Sequence, residues 1–350
     1  MANVRSIVRV RGFTLIEVLV GSLISAVVVT AAVSVVRDQS RALAGATERI
    51  DLFQGARAAA ELLEADLRQA GVGVGYRGDG TFAGIDRAPL TVSGGARFEP
   101  DDREVSLASG TIVTDDLSLR LARGQLRTIA EYSANAGQVC AGSGVEVGDL
   151  VLMTSREGLF ARTVRILARS PATCTGGRCL GGCDAVAWAS DPAYASEPGA
   201  EAASYLEGEL MGAFAHVLWF VVPGDGGQGE LRRAEVSTTA PCSSIATCGA
   251  LAARGVESLQ VALWQWDADS ASWVDRTDAA AIDDRRRLRV DIELVARAVS
   301  GSGRPEEPVT LALEPGRCVP AGCGGAGDGV SRWVIRTSVE VRNSGRMALQ

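Results

Sequence analysis

The hydrophobic pattern changes character twice along the chain. From Phe13 to Val36 there are 24 residues with a single charge, Glu17. At 1.5 Å per residue a helix of that length rises about 36 Å, enough to cross a bilayer with some tilt. Arg37 and Asp38 end the run. From there, apolar or small residues recur at Leu43, Ala46, Ile50, Phe53, Ala56, Ala60, Leu63, Leu67 and Ala70. Spacings of three and four mark a helix with one buried stripe. Arg41, Glu48, Arg49, Asp51, Arg57, Glu64 and Arg68 lie mostly off that stripe. Gly71, Gly73 and Gly75 then break the helix. The pattern predicts one helix from about Thr14 to Ala70, apolar all round in its first half and amphipathic in its second.

Beyond Gly75 the period drops to two. Leu117–Leu121, Leu259–Leu263, Leu288–Leu294 and Trp333–Val341 alternate apolar and polar positions, the pattern of half-buried strands. Val145–Met153 reads as a turn and a buried strand, and Leu159–Ala168 as another. Val217–Val222 ends at Pro223-Gly224, and Glu230–Val236 is placed to pair back as a hairpin. The body is therefore an antiparallel sheet packed on a helix, an α+β architecture.

Charge excludes one class of partner. The chain carries −7 overall and −10 without its first twelve residues, which hold Arg5, Arg9 and Arg11 and no acid. An acidic body offers no basic face for phosphates, so no nucleic acid is expected. A basic flank before a long apolar run is the flank that stays cytoplasmic. A plain membrane anchor, however, gives no reason for Glu17. A carboxylate in hydrocarbon costs about 3 kcal/mol, and such residues are functional by default.

Gly12-Phe13-Thr14-Leu15-Ile16-Glu17 resembles the signature of type IV prepilins and type II secretion pseudopilins. The resemblance implies cleavage after Gly12 by a membrane peptidase and methylation of the new N-terminal Phe13. It further implies that Glu17 pairs with the N-terminal amine of a neighbouring subunit in a filament. Leu62–Gly71 resembles the end of this helix in PilW-type minor pilins and J-class minor pseudopilins. Gly255–Val261 and Arg289–Ala296 resemble the PilW-type core, and Thr337–Asn343 the closing J-class strand. The implied fold is pilin-like: a long N-terminal α-helix, with a membrane half and an amphipathic half, on an antiparallel β-sheet body with disulfide-stapled loops.

The domain scheme that follows has four parts. Residues 1–12 are a basic leader, 13–36 a transmembrane and filament-core helix, 37–71 its amphipathic continuation, and 72–350 a β-rich body. The expected partners are the prepilin peptidase, other minor and major pilins, the inner-membrane assembly platform and membrane lipid. Before assembly the chain spans the inner membrane once, leader cytoplasmic and body periplasmic. Afterwards it belongs to a periplasmic or cell-surface filament. The favoured role is a minor pilin at or near the filament tip that primes assembly. A J-class pseudopilin and a pilus-tip adhesin are the alternatives.

Eight cysteines lie beyond position 139: Cys140, Cys174, Cys179, Cys183, Cys242, Cys248, Cys318 and Cys323. In an exported chain an even number suggests disulfides. Cys242/Cys248 and Cys318/Cys323 are close enough to close small loops. Cys174, Cys179 and Cys183 cluster, with Cys140 available for the odd one. A zinc site at that cluster is the rival reading, and disulfides are preferred. Asp267, Asp269, Asp275 and Asp278 fall at positions 1, 3, 9 and 12 of an EF-hand-like loop. The loop lacks its glycine and closing glutamate, and reads as a solvated hairpin tip. His216, the one histidine, precedes an apolar strand and is read as structural. No nucleophile elbow, P-loop, metalloprotease or dinucleotide motif occurs. No catalytic residue, cofactor or metal is expected, and the chain is not read as an enzyme.

Overall fold

The computed structural model describes residues 14–70, 85–86, 90–91, 97–100, 102–132, 135–154, 161–175, 179, 181–190, 210–236, 244–276, 287–297, 309–313, 318–319 and 332–341. The chain divides into two compact units, Met1–Ile50 and Asp51–Gln350. Helix α1 (Leu15–Gln69) contributes to both. Among the described residues it is followed by β1 (Ile85–Asp86), β2 (Leu90–Thr91), β3 (Arg97–Phe98), β4 (Arg103–Leu107) and β5 (Gly110–Thr114). Next come β6 (Leu117–Tyr132), β7 (Ala136–Cys140), β8 (Leu150–Thr154), β9 (Ala161–Ala172), β10 (Cys183–Ser190) and β11 (Leu210–Pro223). Then follow β12 (Gly229–Val236), β13 (Ala250–Arg254), β14 (Val256–Asp267), β15 (Ser272–Asp275) and β16 (Leu288–Arg297). The last are β17 (Val309–Thr310), β18 (Cys318–Val319) and β19 (Arg332–Val341). The α+β expectation holds: one long N-terminal helix, antiparallel sheets and disulfides.

In the second unit the helix is held by its small face. Ala56, Ala59, Ala60, Leu63 and Leu67 are buried together with Leu117, Leu119 and Leu121 of β6 and Val217, Trp219 and Val221 of β11. The same core takes in Leu259, Val261 and Leu263 of β14, Val290, Ile292 and Leu294 of β16, and Val339 and Val341 of β19. Alanines on the helix let the strands approach closely, while Leu63 and Leu67 each contribute about 1.5–3 kcal/mol by burial. The burial of the stripe starts later than its periodicity suggests: Leu43 is 69% exposed and Ile50 55%.

The strands form two principal sheets where the sequence pattern suggested one. The smaller has the order β15-β14-β16-β19, all antiparallel. The larger contains a closed ring. β6 pairs β7, β7 pairs β10, β10 pairs β9, β9 pairs β8, β8 pairs β11, and β11 returns to β6. Six antiparallel strands close evenly, and closure removes sheet edges that would otherwise template aggregation. Val139, Val145, Val151, Met153, Val164, Ile166, Val186 and Trp188 fill this barrel as a core of their own. β6 and β11 thus form one long ladder, from Trp219↔Leu117 in the body to Leu210↔Thr128 in the barrel. On the body side β11 then pairs β12, the hairpin the sequence predicted.

The turn between β5 and β6 joins the two sheets. The Asp115 N–H donates to Leu259 O at 2.8 Å, and the Val261 N–H donates to Asp115 Oδ2 at 2.8 Å. The carboxylate stands in for a strand carbonyl along β14. Its neighbour Asp116 accepts from Arg103 Nε at 2.8 and 2.9 Å and from the Glu99 N–H at 3.1 Å. Arg103 also donates to Val221 O. Burial pushes the Asp116 carboxyl up from 3.8 to about 6, against the pull of Arg103. Gly229 is required where β12 passes β14, because a Cβ there would lie 1.9 Å from Val256 O.

Candidate functional site: the helix start and the residues that fix the body

Gly12 and Phe13 lie outside the described residues. Thr14 and Glu17 form a capping box at the start of α1. The Glu17 N–H donates to Thr14 Oγ1 at 3.3 Å, while the Thr14 N–H and hydroxyl both donate to Glu17 Oε2 at 2.9 Å. Reciprocal bonds of this kind satisfy two otherwise orphaned donors and fix where the helix begins. All three bonds leave Glu17 Oε1 without a hydrogen bond among the described residues.

Around Glu17 the helix presents only apolar and small side chains. Leu15, Ile16, Val18, Leu19, Leu23, Ile24, Val27, Val28 and Val29 are exposed. The most apolar 18-residue window has a mean hydropathy of 2.4 and no part of it is buried. The helix is long and apolar enough to cross a membrane. Three of its hydroxyls find partners on the helix itself: Ser22, Thr30 and Ser34 donate to Leu19 O, Ala26 O and Ala31 O at 2.7–2.9 Å. A surface so constituted is suited to lipid or to other helices, since the interior backbone donors and these three hydroxyls are satisfied within the helix. Glu17 is its single charge.

At the other end of α1, in the second unit, a different acid is used. Asp66 is 4% exposed. It accepts from Trp219 Nε1 at 3.0 Å, from Arg233 Nε at 2.7 Å and from Arg233 Nη2 at 3.2 Å. β11 and β12 thereby grip the last turn of the helix. Thr337 of β19 donates to Glu64, which also pairs with Arg68 at 2.6 Å. Asp66 falls within the Leu62–Gly71 stretch, whose resemblance carries no role for it. The available signal was its position, three residues after Leu63 and four before Ala70, in register with the apolar stripe.

The cysteines come together as two disulfides, Cys140–Cys179 and Cys174–Cys183. Cys248 is also disulfide-bonded. Cys318 opens β18, and Cys242 and Cys323 lie outside the described residues. In the acidic tip the Ser270 hydroxyl donates to Asp267 Oδ2 at 2.7 Å, and Asp278 is outside the described residues. Trp266 and Trp273 meet edge-to-face across β14 and β15, with Arg287 5.8 and 5.6 Å from their rings. The one difference from expectation at His216 is placement. It lies inside β11, 1% exposed, with Nε2 2.7 Å from Ser118 Oγ.

Residues 8–33 match the model of the prokaryotic N-terminal methylation motif. The match contains Gly12, Phe13 and Glu17. No curated protein matches the chain. Among solved structures, the type IV-like pilin TTHA1219 from Thermus thermophilus shares 15% identity over 56% of this chain and 84% of its own, with a TM-score of 0.22. That likeness is too slight to bear on fold or function.

Proposed function

We propose that this chain is a type IV pilin-like subunit, and within that class a minor pilin of the PilW type. The observation that carries the reading is the helix start. A lone carboxylate, with one oxygen unbonded among the described residues, sits on an exposed apolar helix, within residues that match the methylation motif. A buried charge requires a partner of opposite sign. In this reading the prepilin peptidase removes residues 1–12, and the ammonium of a neighbouring subunit's Phe13 meets Glu17. Residues 13–36 enter the filament core, 37–71 continue the helix, and 72–350 face outward.

The body supports a minor rather than a repeating role. An inserted six-stranded barrel and paired cysteines add bulk that a densely repeated subunit would have to accommodate at every position. Before assembly the chain spans the inner membrane with its body periplasmic; at the filament tip it primes assembly with other minor and major pilins on the inner-membrane platform. A J-class pseudopilin would use the same helix in a secretion machine.

The test is co-expression with a prepilin peptidase, followed by mass analysis of the product. A single cut after Gly12 and one methyl group on Phe13 are expected, with Gly12→Val blocking both. An intact chain, or a cut elsewhere, overturns the reading.

A further inference from the structure

Cys140 and Cys183 face each other across a strand pair, yet neither is bonded to the other. They are directly opposed in the β7–β10 ladder, and Cys183 is also paired with Ala172 of β9. Each is joined instead to the connection between β9 and β10, Cys140 to Cys179 and Cys183 to Cys174. The two disulfides lie side by side: the sulfurs of Cys174, Cys179 and Cys183 are all within 4.8 Å of one another. Directly opposed residues of an antiparallel pair have Cα atoms about 4.5–5.5 Å apart, inside the range of about 4.4–6.8 Å that a disulfide spans. The same four sulfurs therefore admit a second pairing, Cys140–Cys183 with Cys174–Cys179.

We propose that these four residues form a thiol–disulfide exchange site, which a small thiolate converts between the two pairings. The thiolate enters at Cys179, which is half-buried where Cys183 is buried. Its sulfur bonds Cys179 Sγ, the Cys140–Cys179 bond breaks, and Cys140 leaves as the thiolate. Cys140 then attacks Cys183 Sγ, which forms Cys140–Cys183 and expels Cys174 as the thiolate. Cys174 attacks Cys179 Sγ, which forms Cys174–Cys179 and expels the small thiolate unchanged. Each step makes one S–S bond and breaks another, so nothing is oxidised or reduced overall and the small thiol is a catalyst.

At no step are all four sulfurs released. While Cys140 is a thiolate, Cys174–Cys183 remains closed. Cys140 and Cys183 are then opposed by backbone pairing, which runs from Cys183↔Cys140 to Ala187↔Ala136. The Ala141 N–H also donates to Gly182 O at 2.9 Å beside them. While Cys174 is a thiolate, Cys140–Cys183 is closed. Cys174 and Cys179 share one connection, whose flanking residues Ala172 and Cys183 are paired. The two pairings staple different things. The pairing in the structure ties the connection to both strands. The second ties the strands to each other and closes the connection on itself, which frees it from β7.

The experiment uses the full oxidised chain in detergent micelles, incubated under inert gas with a catalytic amount of reduced glutathione. Exchange is stopped with acid, and the disulfides are mapped by mass spectrometry after cleavage at Leu180, which separates Cys179 from Cys183. Both pairings are expected with glutathione and only the starting pairing without it. From pH 6 to 7 the rate should rise about tenfold, as the thiolate fraction of an ordinary thiol of pKa about 8.5 does. Cys140→Ser leaves Cys179 as a thiolate beside the Cys174–Cys183 bond, so exchange needs no added thiol. Alkylation should then label Cys174 or Cys183 as well as Cys179. Where that variant fails to fold, the wild-type mapping decides. Only the starting pairing in the wild type, or label confined to Cys179 in the folded variant, overturns the proposal.

Discussion

Asp66 and Arg233 stand 167 residues apart in sequence and meet in a two-point ion pair, 2.7 and 3.2 Å, at the end of the helix. The two side chains are 6% and 18% exposed, and Trp219 completes the pair with a third donor. Removing one member of a buried pair leaves the other charge uncompensated, which costs about 3–5 kcal/mol. Asp66→Ala is therefore expected to lower the unfolding free energy of the body by that amount in urea titration. Asp66→Asn, which still accepts from Trp219, should lose less. Equal losses would mean that the charge does not matter.

Glu17→Ala should leave the cut after Gly12 intact and reduce incorporation into filaments. The variant keeps the apolar helix and loses the one charge upon it. Co-purification with assembled filaments measures the effect. Wild-type incorporation of the variant would remove Glu17 from the assembly mechanism.

The Asp116 carboxyl should give the body a distinctive pH response. Its folded-state value is raised to about 6 from 3.8, so between these values the folded state binds more protons than the unfolded one. Stability from this group is therefore greatest at and below about pH 4, falls as pH rises through 6, and is flat above. The full span is on the order of 3 kcal/mol at 1.36 kcal/mol per unit. Across pH 4–7 the urea midpoint of the wild type should fall relative to that of Asp116→Asn. A constant difference would place the carboxyl at its ordinary value.

The two disulfides should differ in worth. Cys140–Cys179 spans 39 residues and Cys174–Cys183 spans 9. Chain entropy assigns about 4 kcal/mol to the longer loop and about 2.6 to the shorter. Paired replacements by serine, followed by thermal denaturation under oxidising conditions, test the order. The reverse order would show that packing around Cys183, only 3% exposed, outweighs loop closure.

The helix was legible because its signal is local. A run with one charge, then spacings of three and four, then three glycines bracket Leu15–Gln69 within a residue at each end. Several strands were legible for the same reason: β14, β16 and β19 alternate, and the β11–β12 hairpin is marked by Pro223-Gly224. The barrel was not. β7 carries Gly137 and β10 carries small alanines, so neither shows a strong period-two pattern. Their identity as strands comes from pairing with partners far along the chain. The capping box, Thr14 with Glu17 three residues on, is a local pattern too, although the family resemblance accounts for Glu17 only through a neighbouring subunit.

By itself the sequence determined the helix, its apolar surface, the Gly12–Phe13–Glu17 arrangement and the β-rich class of the body. These rest on spacing and composition, which act over a few residues. The tertiary structure alone decided that β6 and β11 close a six-stranded ring, that Asp66 is an interior ligand of Arg233 and Trp219, and that Asp115 replaces a strand carbonyl along β14. It alone decided which cysteines meet. Each of these depends on two segments separated by dozens to well over a hundred residues arriving at the same place, a condition set by the packing of the whole core and not by any short stretch of chain.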